Sequence, residues 1–509
     1  MDTPQTALIR PATIRAAVNL FAIFVAMYFS ELASFTLSID EEVAAFRTDA
    51  SVWIAQGRWG AYLIEAFVIP HPVMPFVAPA VFGVGCVIAY LLIMEAIDKV
   101  ELSIAEYACF AIFCAFPTWF FIVEFYSNIA SVGIGLTAIA LAVWIISKKD
   151  FSLTSSRFLV AIVAGGFAIS IYQSFAPAIL VLGIAVFVLQ ARYSSDNSLL
   201  GNMIRLVIVS GGSAIFYAAG NAAFKSLTSQ RSEYFESLFQ PGYLLQHPVI
   251  VMGRVLEAIR GAYGLDHDTY GVVLWAVPIL LAFGGWTLFK ESHRTKLLLL
   301  AVCFLSLLIP FSVHLVAAGN MPVRSLVGAP IAVWLFTYLA ATSGNARIRI
   351  VSAVLTVVTI FQIVVIQNYR QASSHLVDKH DMLLAAAIYD RLSTTPGFDA
   401  SRTYALSVFG GQPFATNYPR PPSSTVGYSF FEWDGGNPWR IAYYMKLLGY
   451  SKMVGPTQEQ VDQTISQLAA MPIWPARGSL EIENDLVLIR LGATPSGANQ
   501  EALAKKGSR

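Results

Sequence analysis

The chain has 509 residues, of which 56% are hydrophobic and 13% are charged, with a formal net charge of +1 and a mean hydropathy of +0.61. Ordinary soluble domains carry about 25% charged residues, so this composition excludes a soluble globular protein and indicates a polytopic membrane protein. The net charge favours no polyanionic partner and no segment resembles a nucleic-acid-binding module, so binding to nucleic acid is not expected.

Eleven apolar runs predict the membrane-spanning helices. A helix needs about 20 mostly apolar residues to cross the hydrocarbon core of a bilayer. The runs that meet this requirement are 16–34, 74–97, 103–122, 128–147, 157–173, 175–191, 205–224, 270–289, 296–316, 322–342 and 349–367. The first run is longer than the core of a secretory signal, so we interpret it as a retained signal-anchor helix. The sequence therefore predicts an all-α membrane domain over residues 1–367.

The lysines and arginines between these runs predict the orientation of the chain. Every loop on the side of the N-terminus is basic, and basic loops lie in the cytoplasm. The residues concerned are Arg10, Arg15, Lys99, Lys148, Lys149, Arg157, Arg192, Arg205, Lys290, Arg294, Lys296, Arg347 and Arg349. We therefore expect a cytoplasmic N-terminus. Loops 35–73 and 225–269, and everything after residue 367, then lie on the opposite, exoplasmic face.

Residues 368–509 are more polar and predict a small α/β domain on that exoplasmic face. Thr457 is the candidate N-cap of a helix that extends to about Ala470. The stretch GSLEIENDLVLIRLG predicts two short strands around Glu483, Asn484 and Asp485. The segment mixes aromatic residues with these elements, so we expect it to be folded.

The stretch SIDEEVAAFRTD, residues 38–49, concentrates four acids in the first exoplasmic loop. Ile39, Val43 and Phe46 recur at helical spacing, which is typical of a helix lying on the membrane surface. Two interpretations of the acids stay open. In one, Ser38 and Glu41 form a capping box and the acids complement the helix dipole. In the other, one carboxylate faces a site at the membrane surface.

Asp40 is the first candidate for such a carboxylate, and Glu41 is the second. A carboxylate held near a hydroxyl group removes its proton as the hydroxyl attacks a sugar carbon. Adjacent residues of a helix do not point in the same direction, so we expect only one of the two to be the base.

Two arginines on the same predicted face are candidates to bind an anionic leaving group. Arg58 lies in AQGRWG, and Arg324, in NMPVRSLVG, is predicted to begin a helix. The planar guanidinium group suits the oxygens of a phosphate. The alternative is that both side chains extend from helix ends to the membrane interface.

Weaker candidates lie on the same face. Tyr172 and Gln173 occupy a predicted tight turn between two helices. One interpretation is that they contact a sugar or acceptor, and the other is that they only form a polar turn. His314 is a further candidate for sugar or acceptor contact. The loop GLDHDTYG offers carboxylates and an imidazole for a divalent metal, although adjacent residues in a solvated loop are weak support for a metal site.

Several of these motifs together resemble the type II glucosyltransferase family, whose best-known members glucosylate bacterial O-antigen. They are SIDEEVAAF followed by WIAQGRW, the turn ISIYQSF, the helix start MPVRSLVGAPIAVWL and the C-terminal MPIWPARGSLEIENDLVLIRL. The resemblance extends along most of the chain, although each motif is short.

The resemblance implies a membrane glycosyltransferase of GT-C architecture in the bacterial inner membrane. Such enzymes transfer a sugar from a polyprenyl phosphate, here a hexose and first of all glucose, to a glycan on the periplasmic face with inversion. Asp40 is then the base, Glu41 a helper or substitute, and Arg324 and Arg58 stabilise the leaving phosphate. This chain departs from a clean family pattern because Asp40, Glu41 and Glu42 follow one another, which leaves the base ambiguous between Asp40 and Glu41. The resemblance fixes neither the sugar, the acceptor nor the need for a divalent metal.

Two other functions remain as alternatives. A polysaccharide ligase or polymerase also acts on lipid-linked glycans at the outer surface. A transporter or flippase typically buries ionisable groups near the middle of the membrane and often has repeated halves. The sequence shows no internal repeat and few charges at its helix centres, which favours the enzyme.

Overall fold

The computed structural model describes residues 11–70, 73–99, 101–193, 199–228, 240–291, 296–418, 420 and 424–507. The chain divides into two compact units. The first unit comprises Met1–Phe35, Thr48–Asn368 and Pro421–Ser424, and the second comprises Thr36–Arg47, Tyr369–Arg420 and Thr425–Arg509.

Every regular element in the described part of the first unit is a helix. Its α-helices are Pro11–Met27, Phe29–Ala33, Val52–Ala55, Trp59–Phe67, Val77–Ala96, Ile104–Ala115, Phe120–Val123, Tyr126–Ser147, Ser156–Ile171, Phe175–Tyr193, Leu199–Ser226, Pro241–Gln246, Pro248–Ala262, Ala276–Glu291, Lys296–Leu308, Ser312–Val316, Gly328–Ala341 and the first part of Ala346–Ser393. Three short 3-10 turns, Pro117–Trp119, Ile309–Phe311 and Val323–Ser325, interrupt or precede these helices. One large apolar core joins most of them.

Seven helical spans of the described residues are long and apolar enough to cross a membrane, and four shorter apolar helices fall on the remaining predicted spans. Two of the seven, Ile104–Val123 and Leu297–Val316, each combine successive helical segments. The apolar runs of the sequence therefore identify the helices, which confirms a multi-pass, mostly helical membrane protein. The number of helices that cross the bilayer stays a prediction, because helices of 10–17 residues are shorter than the hydrocarbon core requires.

Two helices of the first unit approach each other closely through glycines. A Cβ atom added at Gly85 would lie 2.3 Å from the carbonyl oxygen of Gly133. The hydroxyl of Thr137 donates to the carbonyl oxygens of Gly85, at 3.3 Å, and Gly133, at 3.1 Å. Small residues that allow such backbone contact, together with hydroxyl hydrogen bonds, are typical of helix pairs in membranes.

The second unit is built around a four-stranded sheet, whose strands are β1 (Tyr404–Phe409), β2 (Met453–Val454), β3 (Leu480–Glu483) and β4 (Leu486–Arg490). The order of the strands in the sheet is β2-β1-β4-β3. β1 is parallel to β2 and β4, whereas β3 and β4, the two strands predicted around residues 483–485, are antiparallel. All six residues of β1 are buried, as expected for a central strand covered on both faces.

The second unit also contains α-helices. They are the short helix Glu41–Ala44, the later part of Ala346–Ser393, Pro438–Leu447, Gln458–Ala470 and Gly497–Gly507, with a 3-10 turn at Trp433–Gly435. Thr457 caps Gln458–Ala470 by accepting from the backbone N–H of Gln460, which confirms the predicted start of that helix.

The helix Ala346–Ser393 is the largest local difference from the sequence prediction, which ended the apolar span at residue 367. It is 48 residues long and continues into the second unit. Leu384, Ala385, Ile388 and Leu392 enter the core of that unit. Their spacing is that of one face of a helix, so the pattern changes from apolar all round to amphipathic without a break in the backbone.

The acidic stretch also differs from its prediction. Residues 41–44 form only a single helical turn, and its N-cap is Asp40, which makes no side-chain capping bond, rather than Ser38. Ile39 is 1% exposed and belongs to the apolar core of the second unit. The proposed apolar stripe therefore does not face lipid along its whole length, because Ile39 is buried in protein whereas Val43 is 45% exposed.

Candidate active site

A cleft in the first unit contains both candidate phosphate-binding arginines. Its lining is formed by Gln56, Arg58, Tyr172, Gln173, Ser174, Val313, Met321, Pro322, Arg324 and Ser325. The empty volume is about 560 Å³, part of it open to solvent. Three segments far apart in the sequence thus meet at one cationic cleft.

Arg58 is held at this cleft by aromatic and amide groups. Its guanidinium lies over the ring of Tyr172 at 4.7 Å and over that of Trp53 at 5.5 Å, positions at which the ring quadrupole attracts a cation. Its Nε donates to Oε1 of Gln173 at 3.4 Å. The amide nitrogen of Gln173 donates to the backbone oxygen of Gln56 at 2.8 Å, so its oxygen is directed at Arg58.

Tyr172 connects the two arginines. Its ring lies beneath Arg58, and its hydroxyl donates to the backbone oxygen of Arg324 at 3.2 Å. The helices Ser156–Ile171 and Phe175–Tyr193 leave only residues 172–174 between them, so the predicted tight turn is present. The turn therefore positions a side chain that contacts the guanidinium of Arg58 and the backbone of Arg324.

Arg324 does not begin a helix as predicted. It lies in the 3-10 turn Val323–Ser325, and the following helix begins at Gly328. Its guanidinium lies over the ring of Phe125 at 5.2 Å. The predicted start was too early because Pro322 takes an extended backbone conformation and Leu326 is non-helical.

His314 is not among the residues that line the cleft, although its neighbour Val313 is. The imidazole is 2% exposed, with its ring centroid 5.9 Å from that of Phe311. Across the described ranges, no group of three or more His, Cys, Asp or Glu side chains is arranged to hold a metal ion.

A larger cavity elsewhere in the first unit is a weaker candidate. It has an empty volume of about 780 Å³ and is lined by Trp144, Ile145, Lys148, Asp150, Arg157 and Val160. Lys148 pairs with Glu95 at 3.1 Å and Arg157 pairs with Asp150 at 2.5 Å. Lys148 and Arg157 of this cavity therefore each face a carboxylate, which offsets their positive charge.

Asp40 and Glu41 belong to the second unit, where Asp40 forms part of a charged cluster around Arg440. Nη2 of Arg440 lies 3.1 Å from Oδ1 of Asp40 and 3.1 Å from Oδ2 of Asp434. Nη1 donates to Oε1 of Glu42. The side chain of Asp40 is 65% exposed, that of Arg440 12% and that of Glu42 0%. Glu41 is also fully buried.

These exposures distinguish the two candidate bases. A general base must come within hydrogen-bonding distance of the hydroxyl that it deprotonates. Asp40 is open to solvent, whereas Glu41 is enclosed by protein. The local structure therefore favours Asp40 over Glu41.

Asp40 also has a backbone conformation that few residues adopt. Its φ is 82°, in the left-handed region, which aspartate and asparagine tolerate better than most non-glycine residues. Such conformations cost free energy and persist only where the surroundings fix them. Ile39 and Glu41, both buried, fix the backbone on either side.

Burial raises the pKa of the Glu42 carboxyl to about 7, against the opposing attraction of Arg440. Within the part of the chain that the structure describes, Oε2 of Glu42 has no hydrogen-bond partner. A carboxyl whose pKa is higher in the folded than in the unfolded chain stabilises the fold when it is protonated. That contribution is complete below pH 4.5 and is lost as the pH rises through about 7.

We therefore expect the variant Glu42→Gln to gain stability relative to the wild type as the pH rises. Glutamine resembles the protonated carboxyl and does not titrate. Between pH 5 and pH 8 the difference in unfolding free energy should shift by about 2 to 3 kcal/mol in favour of the glutamine variant. Denaturant unfolding of the full chain in detergent, across this pH range, measures the shift. The exposed Glu481→Gln serves as the matched control, and an equal shift in both variants would contradict the assignment.

Arg440 ends the stretch FFEWDGGNPWR, a structured loop that leads into the helix Pro438–Leu447. Trp433 packs edge-on against Tyr428 at 4.9 Å, and Nε1 of Trp439 donates to the backbone oxygen of Pro456 at 2.7 Å. The pairing of Arg440 with Asp40 spans 400 residues, and no local pattern in the sequence indicates it.

Comparisons with known proteins add a family match. The family model described as Glucosyl transferase GtrII matches residues 29–342. No curated protein matches the chain significantly. Among solved structures, the chain is similar to the crystal structure of ArnT from Cupriavidus metallidurans bound to undecaprenyl phosphate. That similarity has 13% sequence identity and a TM-score of 0.38, and it covers 96% of this chain and 88% of that chain.

Proposed function

The chain belongs to the glucosyl transferase GtrII family, and from this premise we propose a specific reaction for it. It is a multi-pass membrane glycosyltransferase. In the proposed reaction a hexose, first of all glucose, passes from a polyprenyl-phosphate sugar to a cell-surface glycan such as O-antigen. The transfer occurs with inversion on the periplasmic face of the bacterial inner membrane. The N-terminus is cytoplasmic and residues 368–509 form a periplasmic domain in this proposal.

The observation that carries the proposal is the cleft that Arg58 and Arg324 both line. When the acceptor oxygen bonds to the anomeric carbon, the bond from that carbon to the phosphate oxygen breaks and its electron pair goes to the phosphate. The polyprenyl phosphate thereby gains a negative charge. Guanidinium groups stabilise charge that develops in the transition state, so the two arginines are assigned to the donor phosphate.

Asp40 is assigned as the base that takes the proton of the acceptor hydroxyl. Its exposed carboxylate supports the assignment over the buried Glu41. Glu41 remains the substitute candidate. Tyr172 and Gln173 are assigned to sugar or acceptor contact because they line the same cleft as the arginines.

The donor is the part of the proposal that one experiment tests most directly. Purified protein in detergent is incubated with lipopolysaccharide that carries O-antigen and with radiolabelled glucose in one of three forms: polyprenyl-phosphate glucose, uridine-diphosphate glucose, or a polyprenyl-diphosphate oligosaccharide. We expect label in the glycan only with the first, because the phosphate of the lipid is the leaving group that the cleft accommodates. A protein inactivated by heat is the control.

Two outcomes would contradict the proposal. Transfer from the diphosphate-linked oligosaccharide would indicate a ligase or polymerase. Transfer from the nucleotide sugar without lipid would remove the polyprenyl phosphate from the reaction.

A further inference from the structure

Arg440 lies at the centre of the charged cluster and donates hydrogen bonds to all three acids of the cluster. It reaches Glu42 through Nη1, and Asp40 and Asp434 through Nη2. We propose that Arg440 is a positioning residue, which holds the carboxylate of Asp40 in the orientation in which it accepts the proton of the acceptor hydroxyl. This inference rests on the proposed function, because it takes Asp40 as the base.

The geometry of the guanidinium explains how Arg440 orients Asp40. The five N–H donors of arginine lie in one rigid plane. The bond from Nη1 to the buried Glu42 fixes the rotation of that plane. Nη2 is then directed at Asp40, whose own side chain is 65% exposed. One oxygen of Asp40 is thus held while the carboxylate stays open to a substrate.

The backbone that carries Arg440 is itself well fixed. Arg440 lies in the first turn of the helix Pro438–Leu447, where Oδ1 of Asn437 accepts from the backbone N–H groups of Trp439, at 3.0 Å, and Arg440, at 3.3 Å. A cation in the first turn faces the positive end of the helix dipole, so the helix does not favour arginine here. The acids around it account for its position.

The segment that carries Asp40 lies along the same helix. Phe46 packs against Tyr443 with ring centroids 5.9 Å apart, and Nζ of Lys446 lies 4.5 Å from the centre of the Phe46 ring. The segment is therefore attached at both ends, by Arg440 near Asp40 and by these contacts near Phe46. Asp40 therefore lies on a segment that is packed at two points rather than on a free loop, which favours a preorganised base.

The charges of the cluster make Arg440 difficult to replace by a neutral residue. Three carboxylates surround one guanidinium, and Glu42 has no exposed surface. Removing the cation leaves a buried carboxylate without its partner, which destabilises the fold. A test therefore needs a variant that keeps the positive charge but lacks the planar guanidinium group with its several donors.

The test compares Arg440→Lys and Arg440→Gln with the wild type in the polyprenyl-phosphate glucose assay, with rates expressed per folded molecule. Lysine keeps the charge but presents a single ammonium group, which does not donate to Glu42 and Asp40 in the same fixed geometry. We expect kcat to fall by about 100-fold in Arg440→Gln and by about 10-fold in Arg440→Lys, while KM for the donor is unchanged. Arg402→Gln, which breaks an exposed ion pair with Asp485 in the same unit, is the matched control and should retain the wild-type kcat.

A second comparison tests whether Arg440 acts through Asp40. In an Asp40→Asn background, Arg440→Gln should lower kcat no further, because residues that act as one unit are not additive. If Arg440→Gln does not fold, the kcat of Arg440→Lys decides the question. A wild-type kcat per folded molecule in either single variant would overturn the positioning role. Full activity of Asp40→Asn would instead remove Asp40 as the base, which is a failure of the proposed function and is recognised separately.

Discussion

Replacing Asp40 by asparagine is expected to lower kcat by at least about 100-fold while the protein still inserts and folds. General bases contribute about 10²- to 10⁴-fold to turnover, and the amide of asparagine does not accept a proton at neutral pH. The side chain keeps its shape, and its oxygen still accepts from Arg440, whose Nη2 is 3.1 Å away. Initial rates of glucose transfer from polyprenyl-phosphate glucose, per folded molecule, measure the effect.

Two further variants sharpen this prediction. Asp49→Asn is the matched control, because Asp49 is an exposed acid of the same stretch and bonds locally, to the backbone N–H and hydroxyl of Ser51; the variant should keep the wild-type rate. Glu41→Gln should affect folding more than turnover, since Glu41 is buried. If Asp40→Asn and Glu41→Gln both retain the wild-type rate, neither carboxylate is the base.

The helices of the first unit could be predicted from hydropathy because the bilayer imposes a length on every apolar run. The boundaries were less predictable where a helix continues beyond its apolar part. In Ala346–Ser393 the residues after 367 are polar on one face and apolar on the other. The mean hydropathy of a sequence window does not detect the part of the helix after residue 367, whereas the spacing of Leu384, Ile388 and Leu392 indicates it.

The cleft was the more predictable part of the candidate site. Arg58, Tyr172, Gln173 and Arg324 were each predicted because a polar or cationic residue stands in a loop, in a turn or at a helix start on the predicted exoplasmic face. All four line the same cleft. Topology alone brings such residues to one membrane surface, so a correct assignment of helices already restricts where they meet. His314 met the same criterion but is buried outside the lining.

The surroundings of Asp40 were not predictable in this way. The apolar spacing of Ile39, Val43 and Phe46 indicated a helix on lipid, but the same spacing serves equally for a segment packed on protein. Ile39 is in the core of the second unit and Phe46 packs against Tyr443. Which surface an amphipathic segment covers depends on contacts that are distant in the chain, and a single sequence does not contain them.

Replacing Arg324 by alanine is expected to lower kcat/KM for the lipid donor by about 100-fold. A preorganised donor group that stabilises developing charge contributes about 10²- to 10³-fold, and the leaving phosphate gains a full negative charge as the glycosidic bond breaks. Arg324→Lys should recover part of this loss, because lysine supplies the charge without the planar fork. Initial rates at varied concentrations of polyprenyl-phosphate glucose separate the effects on kcat and KM.

The matched control is Arg157→Ala. Arg157 is an exposed arginine at the start of the helix Ser156–Ile171, whereas Tyr172 directly follows the end of that helix. At about 1.5 Å per residue the two ends lie roughly 20 Å apart, so Arg157→Ala should leave donor use unchanged.

Arg58→Ala should lower kcat/KM as well, but its loss also removes the cation that packs on Tyr172 and so disturbs the cleft. Arg324→Ala is the cleaner test, because Tyr172 contacts the backbone oxygen of residue 324, which the substitution keeps. Unchanged kcat and KM in Arg324→Ala would remove this arginine from the phosphate site and, with it, the main support for a lipid-phosphate donor at this cleft.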